Sequence, residues 1–445
     1  MEKTRNQVFD WVQLALLIVT APLFLFPRPR YWWIVFIIPL LWITRKFIEK
    51  RFIERTPLDL PLFIFLAAVL VSTVRASDFS HNLPKSAGVF FAIGFFYALV
   101  ALLKTETLLK WAAGLFLTGG IFFSLIGLLG MPTFTDKHLT LLMKIKDKIP
   151  RIDFGLPGAE LGFAPTVVGG ILLLVIPLFV VTAAYVYLHP RKSTRNKIYI
   201  ALLLAGLAIT GGVLLLTQAR GAWAGLVLST LIIGILLLMK LLKRKRVFAA
   251  IIVLFIFLGT IVGIGAYSAA HADQLQPGIR QAEGTLLFRF QMWDLAIPLI
   301  RANPVWGIGL NNFRLVPEVR YFLSHAHNQF LHEAVELGIP AMIAYMAMLL
   351  VMGYICLWVW KTSQNQWLRF TVLGLGWGQL AHLFFCLTDA IPPGAKVGIL
   401  FWISLALISG LYKLSIVNAK VAQAEDKEQA DTGQANTGRS GGKRS

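Results

Sequence analysis

The stretch Ser324-His325-Ala326-His327-Asn328-Gln329-Phe330-Leu331-His332-Glu333-Ala334-Val335-Glu336-Leu337-Gly338 gathers three histidines and two glutamates in a chain that is otherwise mostly apolar. An imidazole titrates near neutrality, so a histidine at a water interface can accept a proton from a hydroxyl at ordinary pH. Zinc is the other chemistry such a cluster suggests. The His-Glu-x-x-His arrangement is absent, and His325 and His327 are two residues apart, so they cannot share one helical face. The reading is therefore no metal. The structural alternative is helix capping by Ser324 or Asn328, with Glu333 and Glu336 placed early in a helix.

Three further groups suit an anionic substrate or its support. Arg220, in Thr217-Gln218-Ala219-Arg220-Gly221-Ala222-Trp223, sits between two apolar runs with almost no loop. An arginine at a membrane edge needs an anion, a wet cavity or a path to the interface. Arg289 and Trp293 are four apart in an amphipathic segment, Leu286 to Ile300, and share a helical face. The following Asn303-Pro304-Val305-Trp306-Gly307-Ile308-Gly309 is turn chemistry that ends this helix. Asp389, before Ala390-Ile391-Pro392-Pro393-Gly394, reads either as a partner for Arg220 or Arg289 or as an ordinary helix-end acid. His382, deeper in the same apolar run, is expected to bond a neighbouring helix.

These residues must be positioned by membrane helices. The chain is 57% hydrophobic and 14% charged, and its mean hydropathy is +0.70. Repeated apolar runs of about 18 or more residues match the thickness of a bilayer core. The fold class is all-α, a polytopic bundle of about twelve spans, near 10–26, 31–44, 59–76, 86–103, 109–130, 163–188, 198–217, 221–239, 247–268, 338–360, 370–388 and 397–414. A net charge of +20 does not indicate nucleic acid here. The basic loops 191–197 and 243–246 are assigned to the cytoplasm by the positive-inside rule, which places both termini there too. Two long connections then face outward, 131–162 and 269–337, the second between spans nine and ten. The first contains a basic amphipathic segment over 139–149. Residues 417–445 are polar and expected to be a disordered cytoplasmic tail after a membrane domain of 1–416. Cys356 and Cys386 fall inside apolar runs and read as small core residues.

The order and spacing of Arg220-Gly221-Ala222-Trp223, Phe288-Arg289 with Trp293, Pro304-Val305-Trp306-Gly307-Ile308-Gly309-Leu310-Asn311-Asn312-Phe313, and His327-Asn328 with Gly338 resemble the O-antigen ligase and Wzy-type polymerase superfamily. The resemblance covers about 162–402. It implies a GT-C type, metal-independent glycosyltransferase of the cytoplasmic (inner) membrane, with its active site on the external or periplasmic face and no cofactor. The donor would be a polyprenyl-diphosphate-linked glycan such as one on undecaprenyl diphosphate. The acceptor would be a glycan, a lipid such as a lipopolysaccharide core, or a protein. On that resemblance Arg220 and Arg289 bind the diphosphate and His327 is the general base. Asn328, Gly338, Trp223, Trp293 and Asp389 support them. His327 is expected to work with the two arginines rather than with its neighbours His325 and His332. The competing functions are a transporter or flippase for a lipid-linked glycan, and a non-catalytic member of a glycan-export complex. Transporters gather their ionisable residues near the midplane, whereas these sit at helix ends.

Overall fold

The computed structural model describes residues 2–25, 29–75, 79–131, 140–153, 163–189, 194–241, 286–319, 325–395 and 398–440. Among the described residues the regular structure is entirely helical. The helices are α1 Glu2–Leu25, α2 Ile37–Glu49, α3 Asp59–Val74, α4 Phe79–Leu102, α5 Glu106–Gly130, α6 Thr140–Asp147, α7 Pro165–Leu172 and α8 Ile176–Leu188. They continue with α9 Thr194–Thr217, α10 Arg220–Leu241, α11 Leu286–Ala302, α12 Gln329–Leu337, α13 Ile339–Thr362, α14 Gln366–Cys386 and α15 Ile399–Ser440. Eight helical segments among the described residues are long and apolar enough to cross a membrane. This is a multi-pass membrane protein.

The expected span at 31–44 divides into a 3-10 segment, Pro29–Phe36, and the short α2. The span at 163–188 is interrupted at Leu173–Val175, where the backbone tightens into i→i+3 hydrogen bonds before Pro177 opens α8. The span at 247–268, the basic loop 243–246, the loop segment 269–285 and Ser324 lie outside the described residues. The helix α15 continues through Ser440, where the sequence reading has a disordered tail. Its Ala, Gln, Glu and Lys content favours helix intrinsically, which explains the continuation.

Small residues on α14 set the packing that matters for the site. A Cβ at Gly378 would lie 2.8 Å from Leu174 O, and one at Gly374 would lie 3.0 Å from Leu178 Cα. Close backbone approach at small residues is how membrane helices pack. The same logic seats α10, since a Cβ at Gly225 would stand 2.6 Å from Ala381 O. One turn earlier, Gly221 lies against the Thr388 hydroxyl, at 2.7 Å from its own missing Cβ. The start of α10, with Arg220, is thereby held beside the segment that leaves α14. His382 Nδ1 stands 3.1 Å from Gly170 O, bonding a neighbouring helix as expected.

Polar ties close the other end of the bundle. Arg45 and Lys104 converge on the buried Asp10, Asn365 donates to Glu106 at 2.7 Å, and Lys413 pairs with Glu54 at 3.2 Å. Each joins segments distant in sequence and leaves the opposite end for chemistry.

Candidate active site

The site is assembled on the residues after α14. Leu387 O accepts from Asn328 Nδ2 at 3.3 Å, and Thr388 O accepts from Arg289 Nε at 2.6 Å. Asp389 Oδ1 lies 3.2 Å from His325 Nε2 and 3.4 Å from His327 Nδ1. Ile391 N donates to Gln329 Oε1 at 2.8 Å. Contacts at 387, 388, 389 and 391 thus bring α11 and the start of α12 to one short backbone segment, against which Gly221 of α10 also packs.

Asn328 is the N-cap of α12, in an extended conformation, and its Oδ1 accepts from Phe330 N at 3.0 Å and Leu331 N at 3.1 Å. His327 precedes it with φ +46, in the left-handed region that histidine adopts uncommonly. The two histidine rings meet at a centroid distance of 4.3 Å, and the His327 ring also lies edge-on to Phe288 of α11. His325 Nδ1 accepts the His327 backbone N–H at 3.2 Å. A nitrogen that accepts carries no proton, so the His325 proton is on Nε2 and points at Asp389. Burial pushes His325 down to about 3, against the pull of the Asp389 charge, so its ring is neutral at working pH. Burial would raise the Asp389 carboxyl, but the His327 hydrogen bond and the two imidazoles outweigh it and hold the group below its ordinary value. Asp389 is therefore ionised. His327 Nδ1 is buried and has no better partner than this carboxylate.

Arg289 is half-buried and fixed through Nε, which leaves the outer end of its guanidinium for a ligand. Burial lowers its pKa, Asp389 opposes that, and the nearby Arg220 charge adds to it. A guanidinium stays charged regardless. Arg220 is exposed at the first position of α10. Trp223 steadies the turn before it by donating Nε1 to Leu214 O at 3.0 Å.

Beneath the histidines the short α12 is clamped to the turn after α11. Ile308 N donates to Val335 O at 2.8 Å, Gly309 N to Glu336 O at 3.0 Å, and Ile339 N to Pro304 O at 2.8 Å. The Glu336 carboxylate accepts from Asn311 N at 2.8 Å and Phe313 N at 3.2 Å. Gly338 has φ +92 and ψ 166, a region reserved for glycine, and a Cβ there would be driven into Val305 O. Gly338→Ala should cost about 1–3 kcal/mol from the backbone alone, before the clash. Thermal unfolding in detergent, with protease sensitivity of the 304–313 turn, measures it.

Burial pushes Glu333 up to about 8, helped by the Glu336 charge and opposed by the hydrogen bond from Gln329. Glu336 rises to about 7 by burial, against the Asn311 N–H and the Lys85 charge. A carboxyl whose folded pKa is raised stabilises the fold below its unfolded value of 4.5 and loses that contribution as pH climbs through 8. Stability should therefore fall between pH 5 and 8. Glu333→Gln should remove much of that fall and stabilise the protein at pH 8 by on the order of 3 kcal/mol. Melting curves across that pH range test it.

Residues 204–346 match a family model described as O-antigen ligase. This third of the chain is similar to the O-antigen ligase family. The matched segment runs from within α9 to within α13 and includes Arg220, Trp223, Arg289, Trp293, His325, His327, Asn328 and Gly338. No curated protein matches the chain.

Against the sequence reading, the fold brings Arg289, His327 and Asn328 together around 387–391, with Arg220 beside them through the Gly221–Thr388 approach, and Gly338 locks the far end of α12. Two expectations are corrected. Among the described residues Asp389 pairs with neither arginine, because the Thr388 carbonyl already holds Arg289 and the histidines occupy the carboxylate. His325 is a direct neighbour of His327, because residues 325–328 are not helical and the helical-face argument does not apply. The ligand atoms of His325, His327 and Asp389 lie within 4.8 Å of one another, a spacing that could hold a metal ion. The protonation pattern fits poorly. A metal on His325 Nε2 would force the proton onto Nδ1, where it meets the His327 N–H donor to donor.

The site also uses residues that sequence reasoning did not single out. Thr388 and Leu387 act through backbone carbonyls, and Gln329 bridges Glu333, at 2.6 Å, to the Ile391 N–H. The turn-forming Ile391-Pro392-Pro393-Gly394 was the available signal that the chain leaves the helix here and exposes its carbonyls.

Proposed function

We propose that the protein transfers a glycan from a polyprenyl-diphosphate carrier to an acceptor hydroxyl at the external face of the cytoplasmic membrane. The observation that carries this reading is the meeting of two permanent cations and a carboxylate-backed imidazole on one backbone segment. Guanidinium pairs suit a diphosphate, and an imidazole beside an ionised carboxylate suits a hydroxyl proton.

In this reading His327 holds its proton on Nδ1, facing Asp389, and offers Nε2 to the acceptor. The acceptor oxygen attacks the anomeric carbon as His327 takes its proton. The bond from that carbon to the diphosphate oxygen breaks, and the diphosphate leaves with the electron pair. Arg220 and Arg289 stabilise the charge that grows on it. Asp389 stabilises the imidazolium, as an orienting carboxylate does in a catalytic triad. A single displacement inverts the anomeric configuration.

The proton acceptor is an imidazole and the electrophilic groups are guanidinium ions, so no step calls on a metal. Chelation with EDTA should leave the rate of the purified protein unchanged. A loss restored by a divalent ion would contradict that. Whether the acceptor is a lipid core, a growing glycan or a protein is read from cells lacking the gene. Accumulated long lipid-linked chains identify a ligase, and accumulated single repeat units a polymerase. An unchanged pool of lipid-linked glycan would remove the proposal.

A further inference from the structure

Trp293 lies one helical turn beyond Arg289 on the same face of α11. Its indole Nε1 is buried and has no hydrogen-bond partner among the described residues. A buried indole N–H ordinarily finds an acceptor, and an unsatisfied one calls for an explanation. Beside it the Phe290 ring stands edge-on at a centroid distance of 5.2 Å, and Phe290 is 42% exposed. The apolar face that packs α11 onto α12 is a different one, formed by Phe288, Met292 and Ala296. Trp293 and Phe290 are therefore not needed to hold the two helices together.

We propose that Trp293 and Phe290 form the subsite for the first sugar of the donor, the residue joined directly to the diphosphate. This rests on the reading of Arg289 as a diphosphate ligand. A helical turn rises about 5.4 Å, the reach of one pyranose ring from its phosphate. With the phosphate on the outer end of Arg289, a sugar laid along α11 presents a ring hydroxyl to the Trp293 N–H and its C–H face to the aromatic pair. The hydroxyl would then satisfy a buried donor that has no acceptor among the described residues. The subsite would thus discriminate a sugar-bearing carrier from a bare one, while Arg220 and Arg289 hold the diphosphate of either.

The test measures binding of two probes to the protein in nanodiscs, polyprenyl diphosphate without sugar and the same lipid carrying one hexose. The wild type should bind the glycosylated lipid about ten-fold more tightly. Trp293→Ala should remove that preference and leave affinity for the bare lipid unchanged. Trp293→Phe keeps a ring but not the N–H and should lose about five-fold for the glycosylated lipid only, the equivalent of one hydrogen bond. Equal weakening of both lipids by Trp293→Ala, or of neither, would overturn the subsite. Binding of neither lipid by the wild type would overturn the diphosphate reading on which it stands.

Discussion

Replacing His327 with alanine should lower the rate of glycan transfer by about 10²–10⁴-fold, the usual contribution of a positioned general base. Affinity for the lipid-linked donor should be unchanged, because His327 meets the acceptor and not the diphosphate. The environment makes the assignment specific. His325 donates to Asp389 through Nε2 and accepts the His327 N–H through Nδ1, so both of its nitrogens are engaged. His332 is buried, with Nε2 3.5 Å from Glu336. His327 has a carboxylate at Nδ1 and is half-buried, whereas His332, which also faces a carboxylate, is enclosed with its Nδ1 buried and out of reach of an acceptor. Asp389→Asn should give a smaller loss, since the imidazolium formed during transfer loses its stabilising carboxylate. Single-turnover rates with bound donor, measured across pH, separate the two variants. A fully active His327→Ala protein would reassign the base.

Replacing Arg289 with alanine should cost about 10²–10³-fold in turnover, the scale seen when a transition-state charge loses one fixed donor. The Nε bond to Thr388 O holds the guanidinium before any substrate arrives. Arg289→Lys should rescue little, because an ammonium has no fork to divide between a carbonyl and a phosphate. Arg220 is exposed and carries no such tether, so Arg220→Ala should act more through donor affinity than through turnover. Comparing kcat and KM for the lipid donor in the three variants tests the distinction. Equal effects on KM alone would reduce both arginines to binding groups.

Much of this was legible in the sequence because helices and caps leave local signatures. The apolar runs mark the spans, and Asn328 before an apolar-periodic segment reads as an N-cap. The turn at Asn303–Gly309 ends α11 where its residues say it should. The two arginines and His327 were legible as a set through their order and flanking residues. What was not legible lies in backbone geometry and long-range packing. The left-handed conformation of His327 has no signature in its residue type, yet His325 and His327 meet where it breaks the chain direction. Thr388 contributes a carbonyl, which every residue possesses. Asp389 looked like a counter-ion for an arginine because charge alone cannot distinguish a guanidinium from an imidazole as its partner. Glu336 looked like a helix N-terminal acid, but α12 is only 9 residues long, so the same residue lies at its C-terminal end and clamps the neighbouring turn.

The most direct test is a reconstitution. Purified protein in liposomes is given polyprenyl-diphosphate-linked glycan in the accessible leaflet and a hydroxyl-bearing acceptor. The account predicts glycosylated acceptor and free polyprenyl diphosphate in equal amounts, both lost in the His327→Ala and Arg289→Ala proteins. Movement of the lipid-linked glycan between leaflets with no product formed would contradict it and identify a flippase.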